Sequence, residues 1–337
     1  MIQDRLEALR QVFATRPEEV VILTHNNPDP DAIAAAVAMR YLLFHLVGKK
    51  CKIVYNGIIG RSENRALVRY LGRPLHRLVP ADLNGAAIMV MVDTQPGAGN
   101  NALPAERAPE VVIDHHPWRE RTGQAVFADV RPEVGATASM MMEYLKAANL
   151  IPPSAIATAL FYGIKTDTLG LGRHTTSIDT EAICRLLPRL DVEAISKIER
   201  AQVPLEYFKN FTAALQTAYI YDGVIVSYLG EMGYPDLTAE MADFLLRLRN
   251  CRWVICMGTH KRRLILSVRT HQQQGAGQLA QTIIGKRGIA GGHGSLAGGQ
   301  LRLTKNEAVE QTVADFTRRI LIYLDIGPDQ RHGHPLI

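Results

Sequence analysis

Short, continuous apolar runs punctuate the first half of the chain, and each ends in polar residues. VVILTH (20–25), KIVYNG (52–57), AAIMVMVD (86–93) and EVVIDHH (110–116) read as strands covered on both faces, as parallel strands are. Helix-period segments lie between and after them. MIQDRLEALRQVF (1–13) is amphipathic, and DAIAAAVAMRYLLFHLV (31–47) is a helix with Asp31 as its expected N-cap. GATASMMMEYLKAANL (135–150) and SAIATALFYGI (154–164) follow. Alternation of this kind predicts an open, mostly parallel α/β sheet with flanking helices. From about Asp179 to Thr217 the pattern is helical, with breaks at LLPRLD and VPLEY. A second, smaller α/β unit follows. GVIVSYL reads as a strand, LTAEMADFLLRL as a helix, and RWVICMGTH with RRLILSVRT as a hairpin. GAGQLAQTIIG reads as a helix, the glycine-rich GIAGGHGSLAGG follows, and EAVEQTVADFTRRILIYL reads as a closing helix. The expected domains are 1–190, a helical linker at 191–217, and 218–328, with a cleft between the two domains.

The polar residues concentrate where ligand sites form in such sheets, at the carboxyl ends of the strands. His25 ends the first strand, and Asp29 and Asp31 lie in the following loop and helix start. Asp93 ends the third strand, and Asp114, His115 and His116 end the fourth. Asp167 is expected in the loop after the helix at 154–164. Singly, each has a bland reading, as a cap, a turn residue or a hydrogen-bonded histidine. Six of them together on one rim, His25, Asp29, Asp31, Asp93, His115 and Asp167, point instead to metal ligation. Mixed imidazole and carboxylate donors suit Mn²⁺, with Mg²⁺, Co²⁺ or Zn²⁺ as alternatives. The donors are too many for one ion and match a pair about 3.5–4 Å apart.

Composition narrows the class without changing this picture. The chain has 337 residues, 47% hydrophobic and 21% charged, which excludes a disordered protein. The longest apolar runs are too short to cross a bilayer, so no membrane partner is expected. Cys51, Cys184, Cys251 and Cys256 form no C-x-x-C pair and suit a reduced, cytoplasmic protein. A net charge of +5 points mildly to an anionic partner.

Taken in order, HNNPDPD, the lone aspartate of MVDT, the DHH of VIDHHP and the TD of GIKTDT resemble the four motifs of the DHH phosphoesterases. GGHGSLAGG resembles the glycine–histidine motif of the DHH-associated C-terminal domain. In size the chain is similar to the nanoRNase/pAp phosphatases rather than the longer RecJ-type exonucleases. It departs from the family pattern at Ala34 and Ala35, where Gly-Ser is common, and at Leu296-Ala297-Gly298, where Ala-Ala-Gly is common.

The resemblance implies two Mn²⁺ ions. His25, Asp29 and Asp93 would hold the first, and Asp31, Asp93, His115 and Asp167 the second, with Asp93 bridging. It further implies that Asp114 orients an imidazole, that His116 faces the substrate phosphate, and that a hydroxide shared by the ions attacks phosphorus. Arg269, at the end of LILSV, resembles a phosphate ligand, and a guanidinium can hold two phosphate oxygens at once. Gly291 and Gly292 would bring backbone N–H groups close to an anion, with His293 bonding phosphate or base. Arg173 and His174 are further candidates. The implied activity is hydrolysis of oligoribonucleotides of about two to five residues, and of 3′-phosphoadenosine 5′-phosphate. The partners are then short RNA or a nucleoside bisphosphate, and a homodimer is compatible. An inorganic pyrophosphatase or exopolyphosphatase is the alternative enzyme, and a non-catalytic nucleotide-binding module the alternative of a different class.

Overall fold

The computed structural model describes residues 2–14, 19–83, 87–304 and 308–337. Met1, Ala86 and Glu307, which belong to predicted elements, lie outside the described residues, as does the side chain of His293. The chain divides into two compact units, Met1–Ala201 and Gln202–Ile337.

In the first unit the elements run α1 (Ile2–Ala14), β1 (Val20–Leu23), α2 (Pro30–Val47), β2 (Cys51–Tyr55), α3 (Ser62–Tyr70), β3 (Leu75–Arg77), β4 (Ile88–Val92), β5 (Val111–Asp114), β6 (Phe127–Val130), α4 (Thr137–Ala147), α5 (Ser154–Asp167), α6 (Ser177–Leu186) and α7 (Val192–Glu199). The six strands pair in parallel in the order β3-β2-β1-β4-β5-β6. Alternate residues of the apolar runs explain the layering. Val20, Ile22, Val90, Val92, Val111 and Ile113 face a large core shared with α1, α2, α4 and α5. Val21, Leu23, Val54, Met89, Met91 and Val112 face a smaller core, closed by Leu78, Leu83, Leu103 and other loop-borne residues.

The alanine-rich α2 extends the apolar run at 32–39 to eighteen residues. By length and composition it could cross a membrane, but two-thirds of it (67%) is buried, and its apolar residues belong to the main core. It is a core helix, apolar because neighbouring elements cover it.

The second unit contains α8 (Leu205–Gln216), β7 (Tyr219–Tyr221), β8 (Val224–Glu231), α9 (Leu237–Leu245), β9 (Trp253–His260), β10 (Arg263–Thr270), α10 (Ala276–Ile284), β11 (Gly288–His293), β12 (Leu296–Arg302), α11 (Val309–Tyr323) and β13 (His334–Pro335). Its seven strands lie in the order β11-β12-β10-β9-β8-β7-β13, with β8 and β9 parallel and the rest antiparallel. Leu264, Leu266 and Val268 of β10 face a core with α10 and α11, and Ile265 faces one with α9.

The glycine-rich GIAGGHGSLAGG, to which the pattern assigns no element, is a hairpin of β11 paired with β12. The boundary between units falls at Ala201, so α7 belongs to the first unit and α8 to the second.

Candidate metal centre

The sheet order reverses between β1 and β4, the point where open α/β sheets place their ligands. His25 lies two residues beyond β1, Asp93 directly follows β4, and Asp114 ends β5 with His115 and His116 behind it. Because β1, β4 and β5 are neighbours, these side chains meet. The start of α2 adds Asp29 and Asp31, and the last residue of α5 adds Asp167. Three overlapping groups result: His25, Asp29 and Asp93; Asp31, His115 and Asp167; and Asp93, His115 and His116. Within each group the ligand atoms lie within 4.8 Å of one another.

Two of the three histidines are fixed by backbone carbonyls. His25 Nδ1 is 2.8 Å from the Asn26 carbonyl, and His115 Nδ1 is 3.1 Å from that of Val134. A carbonyl can only accept, so each Nδ1 carries a proton and each Nε2 is the nitrogen that can give a lone pair to a cation once deprotonated. His25 Nε2 sits 3.6 Å from Asp29 Oδ2 and 3.5 Å from Asp93 Oδ2. His115 Nε2 sits 3.2 Å from Asp167 Oδ2 and 3.6 Å from Asp93 Oδ1. His116 is held differently, with its Nδ1 2.8 Å from Asp114 Oδ1. Asp114 thus orients His116, whereas the Val134 carbonyl orients His115.

Behind Asp114 stands a residue that the motif reading missed. The fully buried Gln95 donates from Nε2 to Asp114 Oδ2 (2.6 Å) and to the carbonyls of His116 and Pro117. Its Oε1 accepts from the Arg119 backbone N–H and the Thr122 hydroxyl, each at 2.8 Å. A neutral amide carries no titration or ligand signature, so only the fold reveals it. Asp179 is similar. Its Oδ2 accepts the Gly135 N–H while closing a capping box with Thr176, and so ties down the segment whose Val134 holds His115. The T-x-x-D spacing of that box was legible, although its consequence for the site was not.

The two carboxylates of α2 take roles opposite to simple capping expectation. Asp29 is the N-cap, accepting the Ala32 N–H at 3.0 Å, because Pro30 suits the first helical position. Asp31 lies inside the helix, buried, and accepts the N–H groups of Thr137 and Ala138, both at 2.7 Å. It therefore caps α4, whose own N-cap, Ala136, has no side chain for the purpose. Thr137 Oγ1 donates to Asp93 Oδ1 at 3.0 Å. Asp93 has a φ of 57°, a left-handed conformation that aspartate tolerates better than most residues and that is frequent at functional sites. Asp167 closes α5, which runs three residues further than its apolar pattern indicates. Arg173 donates to the Asp167 carbonyl at 2.9 Å.

The charge balance shows what the cluster lacks. Burial, with the charges of Asp93, Asp167 and Asp29, pushes Asp31 well above the carboxylate range. Burial likewise pushes Asp167 up to about 6, against the opposing pull of His115. For Asp29, burial is outweighed by His25, and the carboxyl stays strongly acidic. For His116, burial opposes the charge, but the Asp114 bond outweighs it and raises the imidazole to about 9. Four convergent carboxylates are more than the histidines neutralise. Their oxygens and the two Nε2 lone pairs are a donor set that fits divalent cations. His25, Asp29 and Asp93 would hold one ion, and Asp31, Asp93, His115 and Asp167 another.

The second-unit candidates fall into register. Arg269 pairs with Leu296, which pairs with His293, so these backbone positions form one row across β10, β12 and β11. Arg269 is the penultimate residue of β10 and largely buried. Its Nε donates to Asp243 Oδ1 of α9 at 2.5 Å, and its Nη1 to the Val268 carbonyl. The two glycines separate. A methyl on Gly292 would meet Leu296 and Ala297 at 2.4 Å, so the hairpin itself requires this glycine, at φ 154°. Gly291 faces open space.

The profile of the DHH family, N-terminal domain, matches residues 19–164. An uncharacterized protein of Methanocaldococcus jannaschii is 33% identical over 337 residues, which is 97% of this chain and 68% of that one. The chain belongs to the DHH family of phosphoesterases, and a separate α/β unit follows the matched domain. A probable manganese-dependent inorganic pyrophosphatase of Streptococcus pyogenes is 28% identical over 174 residues, 51% of this chain and only about half (55%) of that protein. Among solved structures, an exopolyphosphatase-related protein from Bacteroides fragilis shares the fold with a TM-score of 0.71, at 14% identity, over 95% of this chain and 96% of the other.

Proposed function

We propose that the protein is a Mn²⁺-dependent phosphohydrolase that cleaves oligoribonucleotides of about two to five residues and removes the 3′-phosphate of 3′-phosphoadenosine 5′-phosphate. The observation that carries the phosphohydrolase part is the pairing of two carbonyl-fixed imidazoles with four convergent carboxylates at the sheet's reversal point. Divalent ions held there would lower the pKa of a coordinated water and neutralise phosphate charge. Manganese is favoured by the mixed donors and by the name of the streptococcal relative.

The chain's own groups supply the rest. Asp114 and Gln95 hold His116 in one orientation, where its positive charge favours a phosphate oxygen and its proton can serve a leaving group. Asp31 keeps the start of α4 against the centre, and Thr137 steadies Asp93. The nucleotide part is supported by the second unit. Its β11–β12 face carries Gly291 and Gly298 between Arg269 and Gln300, which offers flat ground for a ribose or base beside a cation.

The pyrophosphatase reading has one observation in its favour, the streptococcal relative that matches half of this chain. Hydrolysis of pApA, 3′-phosphoadenosine 5′-phosphate and pyrophosphate, measured side by side in Mn²⁺, separates the two. Turnover of the nucleotides is expected. Turnover of pyrophosphate alone would replace this reading with the second, and nucleotide binding without any turnover would leave only a binding module.

A further inference from the structure

The face of β10, β12 and β11 that carries Arg269 continues toward a second cluster of cations. Side chains two residues apart share a face, so Arg269, Ser267, Ile265 and Arg263 project on one side of β10. Across the register, Ser267 pairs with Gly298 and that with Gly291, and Ile265 pairs with Gln300 and that with Ile289. The last row sets Arg263 directly opposite Arg302. Like charges placed opposite each other destabilise a ladder, and a fold indifferent to ligands has no use for the pair. Both arginines are exposed, and neither is in an ion pair among the described residues. Arg263 Nη1 is steered along the face by Gln300 Oε1, at 2.9 Å.

The turn beside this row adds an independent observation. β9 and β10 are joined by two residues, Lys261 and Arg262, with φ of 46° and 61°. Two-residue hairpin turns of this type strongly favour Asn-Gly or Asp-Gly, because side chains crowd the left-handed region. Here the strained positions carry two exposed cations instead.

We propose that Arg263 and Arg302, with Lys261 and Arg262 beside them, form a distal phosphate subsite for an oligonucleotide whose other end is taken by the Arg269 row. Six strand residues separate the two rows, about 20 Å, in three same-face steps of roughly 7 Å each. Such steps resemble the phosphate spacing of an extended nucleotide chain, and a basic track with flat ground between cations is how single strands are held. Between the rows α9 covers the β10 part of the face, where its Thr238 meets the Ser267 hydroxyl at 2.9 Å, and the β12–β11 part offers Gly291, Gly298 and the exposed Ile289, which suits sugar and base rather than further charge. This subsite rests on the nucleotide reading above and adds to it a length preference, favouring chains of four or five residues over dinucleotides.

The test is equilibrium binding of pApA and of pA5 to the full chain by calorimetry, with hydrolysis of both measured in parallel, for the wild type and for the double variant Arg263→Gln, Arg302→Gln. The expected result is about a tenfold loss of pA5 affinity, the effect of losing one charge-assisted contact, with pApA affinity and turnover unchanged. Equal affinity for pA5 in variant and wild type, equal losses for both lengths, or no pA5 binding by the wild type overturns the subsite. A wild type that hydrolyses neither oligonucleotide, yet loses pA5 binding selectively in the variant, overturns the proposed activity and keeps the subsite.

Discussion

The polar residues of the first unit are placed by burial and interlocking bonds, whereas those of the second lie in rows set by strand register, covered by α9 at Arg269 and Ser267 and open to solvent on β11 and β12. Around Asp93 three of the proposed ligands have a partner that fixes them: Asn26 for His25, Val134 for His115, Thr137 for Asp93 itself. On the β11–β12 face the glycines leave space instead, and apart from Arg269 the cations sit in solvent. The difference teaches where tolerance lies. A buried, cross-braced centre loses its function when one member changes, while a face of independent contacts loses affinity in increments.

Three substitutions probe that contrast, in descending order of effect. Asp93→Asn keeps the shape and the tolerance for a left-handed backbone, but removes the charge shared by two donor groups. Hydrolysis should fall by more than the roughly 100-fold typical of losing an outer partner of a metal site, and Mn²⁺ affinity by calorimetry should fall with it. Retained Mn²⁺ affinity would show that Asp93 does not bridge. Gln95→Leu comes next. It strips Asp114 of its amide and orphans the Arg119 N–H and the Thr122 hydroxyl, at about 1–3 kcal/mol for each buried group left unpaired. A fall in kcat of about 10- to 100-fold with unchanged Mn²⁺ affinity is expected; an unaltered kcat in a folded variant would reduce Gln95 to a packing residue. Smallest is Arg269→Ala, which should raise KM roughly tenfold at constant kcat, the low end for losing a charged hydrogen bond. A wild-type KM would mean that Arg269 serves Asp243 alone.

The sequence was most legible where side-chain chemistry and strand ends coincide. His25, Asp93, His115 and His116 were readable because a strand of parallel type must end, and imidazoles and carboxylates there have no place in an apolar layer. Asp31 was readable as polar but not as the cap of α4, since that bond spans more than a hundred residues and depends on how α4 docks. Gln95 was invisible because amides are common in loops, and the Val134 carbonyl because every residue has one. The β11–β12 hairpin escaped because glycine is depleted in strands, and packing, not propensity, holds it extended. Ile284 beneath Gly299 and the Gly277–Gly292 approach are the contacts that do so.

Gly163 has a significance beyond helix packing. It lies one turn before Asp167 on the same side of α5, and a methyl group there would meet the Asp31 Cα and the Pro30 carbonyl at 3.1 Å and the Ala34 methyl at 3.3 Å. The absent methyl is therefore a gauge: it sets how near the Asp31 and Asp167 carboxylates stand. Adding it would move them apart by tenths of an ångström, which is the scale of the difference between Mg²⁺–oxygen and Ca²⁺–oxygen bond lengths, about 0.3–0.5 Å. The space left for a cation between these carboxylates is set by a hydrogen atom between two helices.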